Sequence, residues 1–138
     1  MNEAYEIVYE NEAPWDLIGG GINAYNDAQA GEQHGRLLCF VVRAPDGKVM
    51  GGIIGETFWD WFYVNLMWLP EELRRHGYGK QLLALAEEEA RKRGAKHAYL
   101  DTFSFQAPEF YKKYGYEVFG TLENFPQGHR RYYLTKDL

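Results

Sequence analysis

Two glycines and four basic residues lie within one short segment, residues 74–80. Gly77 and Gly79 allow a backbone turn without a Cβ in the way, so that several N–H groups can point at one anion. A helix that begins here adds the positive end of its dipole. The segment matches neither the P-loop pattern nor the three-glycine dinucleotide pattern. It therefore predicts a diphosphate site, with a solvated glycine-rich loop as the alternative; its basic residues are Arg74, Arg75, His76 and Lys80.

The elements on either side of this segment form one supersecondary unit. Apolar residues at helical spacing, with acid–base pairs four residues apart, predict a helix from Gly79 to Arg93 that Gly94 ends. Apolar runs predict a strand over 62–69 before it and a strand over 97–103 after it. A strand, a helix and a strand at this spacing form a βαβ unit, which predicts that the two strands are parallel.

The remaining elements frame this unit. Pro45, Asp46 and Gly47 favour a tight turn between two strands of an antiparallel meander. The strands of the meander are predicted over 36–44, 48–58 and 62–69, a short helix over 108–114, and closing strands over 116–120 and 131–135.

The first thirty-five residues give weaker signals. Tyr5, Ile7 and Tyr9 alternate with acidic residues, which predicts a half-buried strand. Pro14 suits the first turn of a helix. The three glycines at 19–21 disfavour helix continuation and predict a short, bent or mobile element, followed by a polar loop over 28–35.

The composition is that of a folded, acidic protein. The chain has 138 residues, 46% of them apolar, which predicts a single domain over 1–138 and excludes intrinsic disorder. A net charge of −5 disfavours nucleic-acid binding and favours cationic partners. One cysteine, Cys39, excludes an intrachain disulfide, and scattered histidines indicate no metal site. The polar first residues do not resemble a secretory signal, and no apolar run reaches the roughly 18 residues of a membrane span, so we expect a cytoplasmic protein without a membrane partner.

Two motifs together resemble the GNAT superfamily of N-acetyltransferases. Arg74, Gly77 and Gly79 match its R/Q-x-x-G-x-G/A signature, and residues 106–116 are similar to its N-x-x-A-x-x-F-Y-x-K-x-G-F helix. The resemblance runs from about Val64 to Phe119. It implies a mixed α/β (α+β) fold, in which a mostly antiparallel central sheet is flanked by helices and has a splayed parallel pair in its middle. We expect that opening between the strand ending near Leu69 and the strand over 97–102.

The resemblance also implies acetyl-CoA as the co-substrate. Its pantetheine arm would lie along the strand end formed by Met67, Trp68 and Leu69. Gln106 stands near the position of a family asparagine that contacts the cofactor, and Tyr111 matches the tyrosine placed near its sulfur. The backbone N–H groups implied to hold the pyrophosphate are those of Arg75, His76, Gly77, Tyr78, Gly79 and Lys80.

The implied reaction is direct attack by an amine on the thioester. A thiol has a pKa of about 8.5 and a phenol of about 10, so Tyr111 is the candidate general acid, its alternative being a core aromatic residue. A backbone N–H near Met67 or Trp68 is the candidate donor to the oxyanion. Glu56 lies in an apolar strand, where burial of an unpaired carboxylate is unfavourable and would indicate a functional role. It is therefore the candidate base, followed by Asp60.

The acceptor and the partners are less defined by the sequence. The acidic charge balance favours a small cationic amine, and the aromatic residues crowded into 59–68 form either core or part of an acceptor pocket. The basic loop over 128–131, Gly-His-Arg-Arg, is either a solvated edge or a border of that pocket. Dimers are frequent in the family, so a homodimer is one option, and the sequence leaves the oligomeric state open. The alternatives are a non-catalytic acyl-CoA-binding or sensing module and a nucleotide-phosphate binder that uses only the glycine loop.

Overall fold

The computed structural model describes residues 4–138, so residues 1–3, on which the expectation of no secretory signal partly rests, lie outside it. The described chain divides into two compact units, the residues up to Gln33 and His34–Leu138. No helix within 4–138 is both long enough and apolar enough to cross a membrane. Over the same residues, no group of three or more His, Cys, Asp or Glu side chains is arranged to hold a metal ion.

The first unit differs from the sequence-based expectation. The strand predicted around Tyr5–Tyr9 is wrong: no strand of the described sheet pairs with it, and alternation alone does not supply backbone partners. Helix α1 spans Trp15–Ala30, and so it is neither short nor ended by its glycines. Each glycine costs only about 1 kcal/mol and removes no backbone N–H, so the hydrogen-bond ladder continues. The loop predicted from residue 28 starts instead at Gly31, whose φ of +88° suits a helix end.

The second unit contains the sheet and confirms the predicted fold class. Its six strands lie in the order β1-β2-β3-β4-β6-β5, and only the β3–β4 pair is parallel. The closing strands run further than the sequence predicted. The strands are β1 Arg36–Arg43, β2 Val49–Phe58, β3 Trp61–Trp68, β4 His97–Phe103, β5 Glu117–Glu123 and β6 Arg130–Asp137, and the helices are α2 Tyr78–Lys92 and α3 Pro108–Lys113, with a 3₁₀ turn at Glu71–Leu73.

Helix α2 packs across β1, β2 and β3 and defines what we call the inner face of the sheet. Alternate strand residues point to this face and form the core with the apolar side of α2. The remaining strand residues, among them Glu56, Tyr63 and Tyr99, point to the opposite, outer face. The fully buried residues of the inner core include Leu38, Ile53, Phe62, Leu83, Ala98, Leu100 and Leu134.

A β-bulge opens the middle of the sheet. Gly55 pairs with Val64 and Ile54 pairs with Leu66, so Asn65 is an extra residue in β3. A bulge bends its strand and increases its twist. The parallel pairing of β3 with β4 ends at Val64 and Leu100, immediately before the bulge, although both strands continue. The splayed opening expected between these strands is therefore confirmed.

A buried polar cluster ties α2 to the last two strands. The Tyr116 hydroxyl donates a hydrogen bond of 2.8 Å to Oε2 of Glu87, and Nζ of Lys136 donates one of 2.9 Å to Oε1. Burial, strengthened by the Glu87 charge, raises the pKa of Tyr116 well above its ordinary value. The Tyr116 ring meets Tyr111 edge-on at 5.9 Å, so the cluster also supports the position of Tyr111.

Candidate active site

The glycine-rich segment leaves a row of backbone donors free. Arg75 and Gly77 adopt positive φ values of +66° and +85°, which turn successive peptide groups toward one side. Within the described chain, no group accepts a hydrogen bond from the N–H groups of residues 75–80; the first intrachain bond after Arg74 is from the N–H of Gln81 to the carbonyl of Gly77. Helix α2 begins at Tyr78, so its positive dipole end adds to these donors. The segment can therefore hold an anion.

Arg74 contributes to this segment by fixing it in place. Its Nε donates a hydrogen bond of 2.9 Å to the carbonyl of Leu69, at the end of β3. This hydrogen bond connects the anion-binding segment to the strand that precedes it. The Nε of Arg74 therefore has a partner within the chain, which gives this side chain a positioning role. The sequence motif alone does not distinguish such a role from direct contact with the cofactor.

The opening between β3 and β4 is a slot of about 240 Å³ that reaches both faces of the sheet. Beyond Val64, the edge of β3 that faces β4 has no strand paired with it, so its backbone can pair with an extended ligand. Met67, where the resemblance implies that the pantetheine arm lies, lines the slot. Its inner side is formed by Met67, Leu100, Thr102 and Tyr111, and its outer side by Tyr63, Asp101, Phe103 and Arg131.

Tyr111 reaches the slot from α3. Pro108 occupies the first turn of this helix, where its missing N–H costs no hydrogen bond. The Tyr111 side chain is buried, and desolvation raises its pKa to about 12. The phenol therefore stays protonated at neutral pH, which is the form that a general acid requires.

Gln106 also lines the slot, at the end of β4. Its Oε1 accepts hydrogen bonds from the backbone N–H of Phe103 at 2.8 Å and from the Thr102 hydroxyl at 3.2 Å. The carbonyl end of this amide is thus used to cap the strand. Only the NH₂ group of Gln106 is left to contact a bound molecule. The cofactor contact that the resemblance implied would therefore be one in which Gln106 donates a hydrogen bond.

Several predicted residues do not line the slot, namely Glu56, Asp60, Trp68 and Leu69. Trp68 ends β3 with its side chain 59% exposed, so only its backbone is placed for the predicted role. Glu56 is exposed as well, which corrects the expectation of a buried acid in an apolar strand. It lies on the outer face beside its register partner Tyr63 and borders a neighbouring depression with Asn65. Asp60 lies in the β2–β3 turn, with Oδ2 at 3.9 Å from Nε2 of His97.

Asp101 is a slot residue that the sequence analysis missed, and Arg131, which the sequence placed in a loop that could border the acceptor pocket, lines the slot beside it. Nε and one terminal nitrogen of Arg131 donate to Oδ1 of Asp101 at 2.9 and 2.7 Å. The guanidinium also lies about 5 Å from the rings of Phe103, Phe125 and Tyr133. The alternation of strand 97–103 could have placed Asp101 on the outer face. Its partner could not be predicted, because that depends on β6 lying beside β4.

The comparisons with known proteins identify the family. Residues 2–116 match the acetyltransferase (GNAT) family, and the chain belongs to it. The chain is 42% identical over 136 residues to an acetyltransferase of Agrobacterium fabrum, covering 99% of this chain and 98% of that one. It is 36% identical over 93 residues to the blasticidin-S acetyltransferase of Streptomyces morookaense, covering 67% and 68%. The crystal structure of an acetyltransferase from Bacillus cereus has a TM-score of 0.87 and 34% identity over 96% of this chain and 98% of its own.

Exchange of Gly77 for alanine tests the anion-binding segment. Gly77 has a φ of +85°, so Gly77→Ala should redirect the free amides and weaken CoA binding about tenfold, a loss of about 1.4 kcal/mol. Gly94→Ala is the matched control, because Gly94 has a φ of +92° at the other end of α2 and no heavy atom within 4 Å of an added Cβ. We expect it to lower stability similarly and to leave CoA affinity unchanged. Equal CoA affinities of both variants and the wild type by calorimetry would contradict the assignment.

The burial of Tyr111 predicts a specific loss of stability in alkali. The unfolded chain ionises this phenol near its ordinary pKa of 10.0, whereas the folded chain holds its proton to about 12. The contribution of the protonated Tyr111 phenol to the free energy of unfolding is therefore fully present below pH 10, and it decreases as the pH rises from 10 to 12. Between pH 9 and 11 the free energy of unfolding of the wild type should fall by about 1.4 kcal/mol more than that of Tyr111→Phe. Urea denaturation at each pH measures this difference. If the free energy of unfolding fell equally with pH in both proteins, the burial of the Tyr111 hydroxyl would be contradicted.

Proposed function

We propose that the protein transfers the acetyl group of acetyl-CoA to a primary amine of a small, cationic acceptor. The observation that carries this proposal is the slot through the sheet, which has Tyr111 on its inner side and an unpaired strand edge along its wall. The free amides of residues 75–80 lie where the chain leaves that strand and enters α2. These features fit the diphosphate, the extended arm and the thioester of the same molecule.

Acetyl-CoA, once bound, supplies an acetyl group activated as a thioester. The amides of residues 75–80 hold its diphosphate, and the open edge of β3 pairs with its pantetheine arm. Backbone N–H groups near Met67 stabilise negative charge on the carbonyl oxygen. The Tyr111 hydroxyl donates its proton toward the departing sulfur and regains a proton from solvent.

The amine approaches from the outer face in this proposal. Asp101 lines that side of the slot, but Arg131 neutralises its charge with two hydrogen bonds to one carboxylate oxygen. Glu56 forms no ion pair among the described residues, and it lies beside Tyr63, which lines the slot. We therefore assign Glu56 as the base, acting through water on the ammonium group of the acceptor. Its charge also favours a cationic acceptor.

Incubation with acetyl-CoA and a panel of primary amines tests the activity, with free thiol as the readout. Blasticidin S belongs in the panel because one relative is a blasticidin-S acetyltransferase. Loss of the proton donor in Tyr111→Phe should lower kcat about 100-fold and change the KM for acetyl-CoA little. Tyr114→Phe, which removes a hydroxyl just after the same helix, is the control and should keep wild-type turnover.

Two results would contradict parts of this proposal. Full turnover by Tyr111→Phe would remove Tyr111 from its role while leaving the transfer reaction in place. Tight binding of acetyl-CoA, without thiol release for any amine, would instead support the non-catalytic acyl-CoA-binding alternative.

The assignment of Glu56 has its own test in the pH dependence of turnover. Glu56→Gln should lower kcat/KM at pH 7 about tenfold or more, because a base no longer removes the ammonium proton. The deficit should shrink toward pH 10, as an alkyl ammonium with a pKa of about 10.4 loses its proton unaided. Asp60→Asn, in the adjacent turn, should keep the wild-type profile. A profile of Glu56→Gln that superimposes on the wild type would exclude this role.

A further inference from the structure

A second concave site lies on the outer face of the sheet, in the unit His34–Leu138. It is a groove of about 490 Å³ whose wall is aromatic apart from one threonine. We call it the aromatic groove. Its lining contains no acidic or basic side chain; the residues are Phe58, Trp59, Trp61, Tyr99, Phe119 and Thr135.

The aromatic groove is separated from the slot by one pair of stacked rings. Tyr63 lines the slot and Tyr99 lines the groove. Their ring centroids are 4.7 Å apart with an interplanar angle of 22°. Along β3, Trp61 in the groove and Tyr63 at the slot are next neighbours on the same face, roughly 7 Å apart at the usual strand rise. A single small molecule can therefore reach both sites.

The charge beside this ring pair is negative. Glu56 is the register partner of Tyr63, and Tyr63 is the register partner of Tyr99. Burial raises the pKa of Tyr99, and the charges of the neighbouring Tyr63 and Glu56 raise it further. An ammonium group would thus meet negative charge and ring faces at the slot, and a largely apolar surface in the groove.

We infer that the acceptor is an arylalkylamine, whose aromatic ring occupies the aromatic groove while its amine reaches the slot. The inference rests on the proposed function and narrows its acceptor class. The ring gains stacking and edge contacts with the groove wall. A linear diamine would place its second ammonium against a wall without a carboxylate, where loss of hydration is unfavourable. The groove therefore selects for an amine that carries an aromatic ring at the end of a short alkyl chain.

Phe119 and Leu122 provide a matched pair for the test. Both lie on β5, with side chains 63% and 44% exposed, so their loss should leave the fold intact. Only Phe119 lines the groove. Binding of phenethylamine to the CoA-loaded protein is followed by intrinsic fluorescence, since Trp61 lies in the groove wall. Turnover of phenethylamine, butylamine and cadaverine is measured separately by thiol release.

We expect phenethylamine to have a KM at least about fivefold lower than those of butylamine and cadaverine. Phe119→Ala should raise its Kd and KM about fivefold, with the KM for butylamine and acetyl-CoA unchanged. Leu122→Ala should behave as the wild type. Binding of phenethylamine that depends on Phe119, but without turnover, would support the groove and contradict the catalytic proposal.

Other outcomes would overturn the inference while leaving acetyl transfer in place. Equal KM values for the three amines would show that the groove does not select a ring, and a preference for cadaverine would assign it to a second ammonium. A change of sedimentation coefficient in Phe119→Ala, with phenethylamine affinity unaltered, would show that a second copy of the chain covers this face instead.

Discussion

The loss of backbone pairing between β3 and β4 is the constraint on which the other features depend. A buried strand edge with unpaired N–H and C=O groups is unfavourable unless another partner satisfies them. Asn65 creates this edge locally, because the bulge turns β3 away just after Val64 pairs with Leu100. The other neighbouring strands pair along most of their lengths, with register shifts at Val42/Arg43 and Val118/Gly120, so the wide opening lies at the ends of two strands. The same displacement allows Tyr111 and Asp101 to reach one space from opposite faces.

The inner side of the slot is supported by a buried polar cluster whose members are hydrogen-bonded to one another. Glu87 is buried in α2, and its carboxylate receives hydrogen bonds from Tyr116 and Lys136. Such a cluster is costly to disrupt, since one missing partner leaves an uncompensated charge. The cluster connects α2, whose first turn carries some of the free amides, with Tyr116 immediately before β5 and with β6, both of which follow Tyr111 in the chain. The anion-binding segment and the phenol are therefore held by one connected piece of structure.

Much of this arrangement could be predicted from the sequence because its signals are local. Most elements could be predicted from nearby residues alone, by helical periodicity after Gly79, by turn glycines or by an apolar run. The arrangement of the strands in the sheet came from the resemblance to the GNAT family. The exposure of Glu56 and the pairing of Asp101 with Arg131 could not be predicted, since both depend on strand register and on β6 lying between β4 and β5. The bulge at Asn65 has no glycine on its own strand, although Gly55 stands at the register shift on β2. The continuous helix through three glycines shows that propensity alone does not place helix ends.

A slot that is open at both faces has a kinetic consequence for a two-substrate reaction. The anion-binding segment leads into α2, which covers the inner face, whereas the aromatic groove lies on the outer face. Donor and acceptor would then enter and leave by separate routes, and neither would obstruct the other. Under the proposed chemistry, a ternary complex could assemble in either order, and release of the acetylated amine would not have to wait for CoA to dissociate.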